Sequence, residues 1–243
     1  MRGKTHCTIG VLTSIQTCIL FNIPITILNL IICAILSIFP DIDEPHSTIY
    51  NLIFKKNLSK KNLKKGVYIL SIIISIIILK SNNFYLILIS LLGSFILFSL
   101  KFNYSLFKKI FLSLIFLFFC IMLYLNTNNL TLLALSLTIS IFPWLKHRSF
   151  SHSLVAVFII YLFLKEIEKI YHIPFLSIIG TLSYLSHMFL GDIFTKSGVP
   201  IFYPLTSKKF SLAPFVVGTK KCNLLEYAFI SVLILTIFIS ILK

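Results

Sequence analysis

Long apolar runs separated by short polar stretches dominate this chain. Nine of these runs are predicted to form helices, at about residues 5–21, 25–39, 66–80, 83–100, 108–125, 130–145, 152–168, 174–190 and 224–242. A helix needs about 20 apolar residues to cross a bilayer, so the first two are short and are predicted to be tilted or to form a re-entrant hairpin. The pattern predicts an all-α, polytopic integral membrane protein, a helical bundle with about eight or nine transmembrane or re-entrant helices.

The composition supports this class of protein. Of the 243 residues, 58% are hydrophobic and 12% are charged, whereas soluble domains carry about 25% charged residues. This deficit excludes a water-soluble domain, a disordered chain and a coiled coil. We predict one membrane domain over residues 1–243, with polar motifs in 1–50 and 146–215 and an apolar insertion at about 66–145 whose purpose the sequence does not indicate.

The chain has a net charge of +15, and the distribution of its positive residues indicates the orientation of the protein in the membrane. Of the 22 Lys and Arg residues, 18 lie in or beside the loops that nine helices with a cytoplasmic N-terminus place inside the cell, namely 1–4, 40–65, 101–107, 146–151 and 191–223. Cytoplasmic loops of membrane proteins are enriched in these residues. We therefore predict a multi-pass cell-membrane protein with membrane lipids as partners. No separate basic domain exists, so nucleic acid is not an expected partner.

The scarce acids and histidines concentrate in four short clusters. These are Thr5-His6, the stretch from Pro40 to Ser47, the stretch from His147 to Ser153, and the stretch from His187 to Asp192. All four fall at predicted cytoplasmic helix ends. Because ionisable groups near hydrocarbon are costly, they mark functional sites by default.

Imidazole and carboxylate groups together suit a divalent metal, most often zinc, with manganese or iron(II) as alternatives. A turn after Pro40 can direct both Asp41 and Asp43 at one ion or at two neighbouring ions. The spacing of five between His147 and His152 suits a loop followed by a helix start, where Ser149 or Ser151 is a candidate cap. The predicted ligands are His6, Asp41, Asp43, His147, His152, His187 and Asp192.

The four clusters resemble the YdjM-like, LexA-regulated family of membrane-bound metal-dependent hydrolases. The matching motifs are Thr5-His6 with Gly10, Pro40-Asp41-Ile42-Asp43 with Ser47, His147-Arg148-Ser149-Phe150-Ser151-His152-Ser153, and Ser186-His187 with Asp192, Thr195, Gly198 and Pro204. The family usually spaces this last His and Asp by four residues. Here the spacing is five, which requires the helix to loosen around Gly191.

The resemblance implies metal-dependent hydrolysis, and the predicted orientation of the helices places the site at the cytoplasmic membrane interface. Asp43 and Arg148 are the predicted catalytic residues, with the Arg148 guanidinium suited to clamp an anionic group. At this depth we expect a lipid or lipid-linked phosphate as the substrate. Two alternatives stay open at the level of sequence: a metal- or proton-coupled transporter, and a non-catalytic membrane protein with a structural metal.

Overall fold

The computed structural model describes residues 2–44, 47, 65, 69 and 104–242, and all regular structure in these residues is helical. Short 3-10 turns join several of the helices, and the backbone pairs elsewhere in this part of the chain only as isolated bridges. The α-helices of the described residues are α1 (Gly3–Leu20), α2 (Ile27–Ile38), α3 (Tyr104–Thr127), α4 (Leu130–Ser140), α5 (Leu154–Tyr171), α6 (Leu176–Phe189) and α7 (Lys220–Leu242). The predicted all-helical class is confirmed for these residues.

The helix boundaries agree with the sequence prediction to within about five residues. The predicted helices at 66–80 and 83–100 lie outside the described residues, apart from Ile69. α4 ends before Pro143, which lies in a 3-10 turn. The predicted cap of α5 was wrong, because Ser153 and neither earlier serine accepts a hydrogen bond from the Ala156 N–H.

Two described helices are long and apolar enough to cross a bilayer, Ser105–Thr127 and Lys220–Leu242, and a shorter apolar stretch covers Leu130–Trp144. Side chains such as Phe118, Leu224 and Leu235 in the two long helices are more than half exposed, which suits contact with lipid. The larger total of eight or nine membrane helices stays a prediction.

The chain divides into two compact units, Met1–Tyr50 with Phe111–Lys243, and Asn51–Ile110. The organisation as one membrane domain over the whole chain stays a prediction.

Helices α1, α2 and α6 pack against one another at close range and bring their ends together. A Cβ atom on Gly10 would lie 2.2 Å from the Cβ of Ser37, so only glycine permits this crossing. The Ser183 hydroxyl donates a hydrogen bond to the Cys33 carbonyl across the α2–α6 contact, at 2.7 Å. Small and hydroxyl side chains of this kind are typical of helix contacts in membranes.

The opposite end of the α5–α6 pair is held by its own polar contacts. One Glu168 carboxylate oxygen accepts hydrogen bonds from the Ser177 N–H at 2.8 Å and from the Ser177 hydroxyl at 2.6 Å. These bonds satisfy the start of α6, where backbone N–H groups have no helical partner. Glu166 accepts a hydrogen bond of 3.0 Å from the Asn129 side chain.

Candidate metal centre

Four side chains from three separate parts of the chain converge at one end of the bundle. Each of them offers one ligand atom, and these atoms all lie within 4.8 Å of one another; the residues are Asp41, His152, His187 and Asp192. We call these four residues the His/Asp cluster. His152 Nε2 lies 3.3 Å from Asp192 Oδ2 and 3.6 Å from Asp41 Oδ1. His187 Nε2 lies 3.4 Å from Asp41 Oδ1 and 3.7 Å from Asp192 Oδ2.

Helix ends and short turns position all four residues. Asp41 lies in the 3-10 turn Phe39–Asp43 that follows α2, and His152 ends the 3-10 turn Phe150–His152 that precedes α5. His187 lies in the last turn of α6. That helix ends at Phe189, and the chain turns at Gly191 into a new 3-10 helix beginning at Asp192. This break explains how a spacing of five residues brings Asp192 back to His187.

Hydrogen bonds on the outer ring nitrogens orient both cluster histidines. His187 Nδ1 lies 2.7 Å from the carbonyl oxygen of Ser37, which can only accept, so Nδ1 carries the proton and donates it. The Ser151 hydroxyl donates to Asp43 Oδ2 at 2.6 Å and therefore accepts from His152 Nδ1 at 3.0 Å. Both Nε2 atoms then direct a lone pair into the cluster. Metal-binding histidines are commonly held in this way.

The two Nε2 atoms are buried and form no hydrogen bond. Buried polar atoms of this kind are rare in folded proteins and require an explanation. A bound cation would supply the missing partner for both lone pairs, so the donor set fits a divalent metal.

The charges of the cluster favour a cation at its centre. Burial raises the pKa of Asp192, but the electrostatic effect of the facing imidazoles of His152 and His187 outweighs it and holds the pKa well below its ordinary value. Burial likewise raises the pKa of Asp41, but the electrostatic effect of the facing imidazoles of His187 and His152 outweighs it, so this pKa also lies well below the usual range. For His152, burial lowers the pKa, but the facing carboxylates raise it above its usual value. The buried carboxylate of Asp192 and the partly exposed carboxylate of Asp41 thus lie close together and attract positive charge.

His6 lies beside the His/Asp cluster. Its ring stacks on that of His187 with centroids 3.7 Å apart, and His6 Nε2 lies 3.5 Å from Asp192 Oδ1. Gly191 makes room for this ring, since a Cβ there would lie 2.3 Å from His6 Cε1. Both ring nitrogens of His6 are buried without a hydrogen bond, and His6 is not one of the four converging residues.

Asp43 and His147 were also predicted as ligands, and the structure places them behind the cluster. Asp43 Oδ1 accepts a hydrogen bond of 2.7 Å from His147 Nδ1, and Asp43 Oδ2 accepts from the Ser151 hydroxyl. Both Asp43 oxygens therefore accept hydrogen bonds from side chains that also contact His152: the Ser151 hydroxyl accepts from His152, and the His147 ring packs edge-on against the His152 ring. This geometry suits an outer carboxylate that orients a ligand.

The Arg148 guanidinium contacts the protein on both of its terminal nitrogens. Arg148 Nη2 lies 3.0 Å from Asp192 Oδ1, and Nη1 donates to the Thr195 hydroxyl at 2.9 Å and to the Gly198 carbonyl at 3.4 Å. The predicted clamp on an anionic group stays untested by this geometry. What the contacts describe is a guanidinium that holds Asp192 in place.

One buried acid near the cluster was not assigned a role from the sequence. Glu226 of α7 accepts hydrogen bonds from the Thr5 hydroxyl at 2.6 Å and from the Arg2 N–H at 3.2 Å. These bonds fasten the start of α1 to α7, next to His6. Two signals were present in the sequence: Thr5 precedes His6, and Glu226 is the one acid in an apolar run of membrane-spanning length, where a charge is costly.

The residues in and beside the cluster differ in their exposure to solvent. The side chains of His152, His187 and Asp192 are 0–2% exposed, whereas that of Asp41 is 21% exposed and that of His147 is 35% exposed. A metal at this position would therefore be held by three buried side chains and by the partly exposed Asp41.

Comparison with known proteins identifies one family. The family model described as YdjM inner membrane protein matches residues 1–242, almost the entire chain. Curated proteins give no match, and neither do solved structures.

Proposed function

Because the chain belongs to the YdjM inner membrane protein family, we propose that it is a membrane-bound, metal-dependent hydrolase whose divalent ion is held by the His/Asp cluster. The observation that carries this proposal is the convergence of two buried histidine Nε2 lone pairs with the carboxylates of Asp41 and Asp192. Zinc fits this mixed nitrogen and oxygen set best, with manganese or iron(II) as alternatives.

A divalent ion supplies Lewis acidity at such a site: it polarises a phosphoryl or carbonyl oxygen and lowers the pKa of water. The protein orients the ligands. Asp43 acts through Ser151 on His152, and the Ser37 carbonyl holds His187. Arg148 holds Asp192, and His6 packs against His187.

The partial exposure of Asp41 favours catalysis over a purely structural metal. Structural zinc sites are closed, whereas catalytic sites keep a position for substrate or water. The location of the cluster at helix ends favours a hydrolase over a transporter, because transporters bind their substrates near the bilayer midplane between broken helices. We propose that the cluster faces the cytoplasmic interface and that the substrate is a lipid or lipid-linked phosphate.

The test is a hydrolysis screen with the purified, metal-loaded protein in mixed micelles. Phospholipids and lipid-linked phosphates are offered to the unmodified protein, to the chelated protein and to Asp41→Asn. The matched control is Glu44→Gln, which removes an acid three residues later and outside the cluster. We expect hydrolysis that is lost on chelation and in Asp41→Asn but kept in Glu44→Gln. Hydrolysis that survives both chelation and Asp41→Asn would contradict the proposal.

A further inference from the structure

A strongly basic segment follows the cluster in the chain. Residues 196–221 contain five lysines and no acidic residue. All five lysine side chains are exposed; they are Lys196, Lys208, Lys209, Lys220 and Lys221. We call residues 196–221 the basic segment. Its charge matches an anionic surface.

The same segment exposes large apolar side chains. Leu205 is 91% exposed and Leu212 is 69% exposed, and Phe202, Val216 and Val217 are each more than 40% exposed. Water-soluble surfaces seldom collect so many large apolar groups in one short stretch. Apolar side chains between lysines are typical of segments that lie in the membrane interface.

The backbone of the segment is fixed at its base, so its exposed apolar part, which includes Leu205 and Leu212, projects outward. We call this part the apolar tip. Val199 and Phe210 exchange two backbone hydrogen bonds of 2.9 Å, and the Leu212 N–H donates to the Ile193 carbonyl. Gly198, Val199 and Pro200 are buried at the base of the segment. The exposure of Leu205 and Leu212 therefore belongs to an ordered loop with a buried base.

The position of the segment relative to the bilayer follows from the chain itself. Its last two residues, Lys220 and Lys221, begin α7, which is apolar and long enough to cross a membrane. The end of the basic segment is therefore fixed at the level where α7 meets the membrane surface.

From the charge, the exposed apolar tip and this continuity with α7, we propose that the basic segment is a lipid-binding surface for anionic phospholipids of the bilayer. The side chains of Leu205 and Leu212 enter the boundary between headgroups and acyl chains, and the lysines bind the phosphates. Lys208 Nζ also lies 5.9 Å from the centre of the Phe210 ring, so the charge and the apolar tip occupy the same part of the loop.

This surface adjoins the cluster without being part of it. The Gly198 carbonyl at the base of the segment accepts a hydrogen bond from Arg148, which contacts Asp192. Anionic lipid gathered on the segment is thus held next to the turn that carries Asp192. The proposal does not require the protein to be a hydrolase.

The test places a fluorescent probe on the tip. Trp144 is the one tryptophan of the chain, so Leu205→Trp in a Trp144→Phe background reports from residue 205 alone. The protein is reconstituted in phosphatidylcholine vesicles that contain one of two lipids brominated on their acyl chains. One preparation contains brominated phosphatidylglycerol, and the other contains brominated phosphatidylcholine at the same mole fraction. Leu235→Trp, at an exposed position in the middle of α7, is the matched control.

We expect both brominated lipids to quench the Leu205→Trp emission, and the anionic lipid to do so with roughly twofold or greater preference, as expected where lysines attract anionic lipid. In the double variant Lys208→Gln and Lys209→Gln, the ratio of quenching by the anionic lipid to quenching by phosphatidylcholine should fall toward one, while both lipids still quench. Leu235→Trp should be quenched by both lipids without preference. Leu212→Trp provides a second probe on the same tip.

Two results would overturn the proposal. Emission from both tip probes that neither lipid quenches would place the tip in water or against a protein partner. Quenching that is equal for the two lipids and unchanged by the double lysine substitution would show that the lysines bind no anionic lipid.

Discussion

Buried or half-buried acids lie at both ends of the α5–α6 helix pair. The two ends differ in whether the groups that face these acids are hydrogen-bonded. At the far end Glu168 accepts two hydrogen bonds from Ser177 and thereby closes the start of α6. At the other end Asp41 and Asp192 face histidine nitrogens that make no hydrogen bond. The first arrangement is complete with protein groups alone, whereas the second leaves two buried imidazole nitrogens without a hydrogen bond and could hold a metal ion. The acid whose facing groups are all hydrogen-bonded has a structural role, whereas the acids that face nitrogens without a hydrogen bond are candidate metal ligands.

Substitution of a cluster carboxylate should have the largest effect on metal binding. We expect Asp192→Asn to lower metal affinity by more than about 100-fold, because it removes one of the two charges that offset the cation; loss of even an outer partner costs 10–100-fold. The measurement is a competition titration with a chromophoric chelator. Glu168→Gln is the control from the far end and should leave the affinity unchanged. Equal losses in the two variants would remove the distinction between the two ends.

The outer carboxylate should have the next largest effect. Asp43→Asn keeps the shape of the side chain but weakens its hold on Ser151 and His147, so we expect metal affinity to fall about 10–100-fold. Ser151→Ala should give a similar loss. Because both act through His152, their double variant should lose less than the sum of the two free energies. Strict additivity would contradict a chain of hydrogen bonds from Asp43 to His152.

Arg148→Lys should have a smaller effect on the metal. Lysine keeps the charge near Asp192 but cannot reach Asp192, Thr195 and Gly198 with a planar fork. We expect a loss of several-fold in metal affinity, roughly 1 kcal/mol. If Arg148 also contacts an anionic substrate, hydrolysis should fall by more than the metal affinity does. A variant with unchanged affinity and unchanged melting temperature would show that the guanidinium positions nothing.

The smallest effect on metal binding should come from the acids that hold helices together. Glu226→Gln replaces a carboxylate that accepts from Thr5 and Arg2 by an amide with one accepting oxygen. We expect about 1–2 kcal/mol lower stability and little change in metal affinity, measured by thermal unfolding in detergent. Glu168→Gln should behave in the same way. Metal loss in Glu226→Gln without loss of stability would assign Glu226 to the metal site itself.

The positions of the described helices along the chain were predictable because each apolar run carries its own signal. The polar clusters were predicted to meet because the lysine pattern places Asp41, His152 and His187 on one side of the membrane. The orientation itself and the helix total stay predictions. The residues of the predicted helices at 66–80 and 83–100, apart from Ile69, lie outside the part that the structure describes.

The sequence did not indicate which of the predicted residues enter the His/Asp cluster and which only orient its members. Asp41 and Asp43 lie in a 3-10 turn with about three residues per turn, so side chains two apart diverge by about 120°, and only Asp41 enters the cluster. The partner of His187 is the backbone carbonyl of Ser37, which no side-chain motif indicates. The spacing of His187 and Asp192 depends on where α6 ends, and helix ends are the least certain feature of a sequence prediction.

The most direct test of the metal centre is the metal content of the purified protein. The unmodified protein, Asp41→Asn and Glu44→Gln are purified in parallel without added chelator and analysed for transition metals per chain. The His/Asp cluster predicts close to one divalent ion per chain in the unmodified protein and in Glu44→Gln, and close to none in Asp41→Asn. Equal metal content in all three folded proteins, or no metal in the unmodified protein even after incubation with zinc, manganese or iron(II), would contradict a metal centre at Asp41, His152, His187 and Asp192.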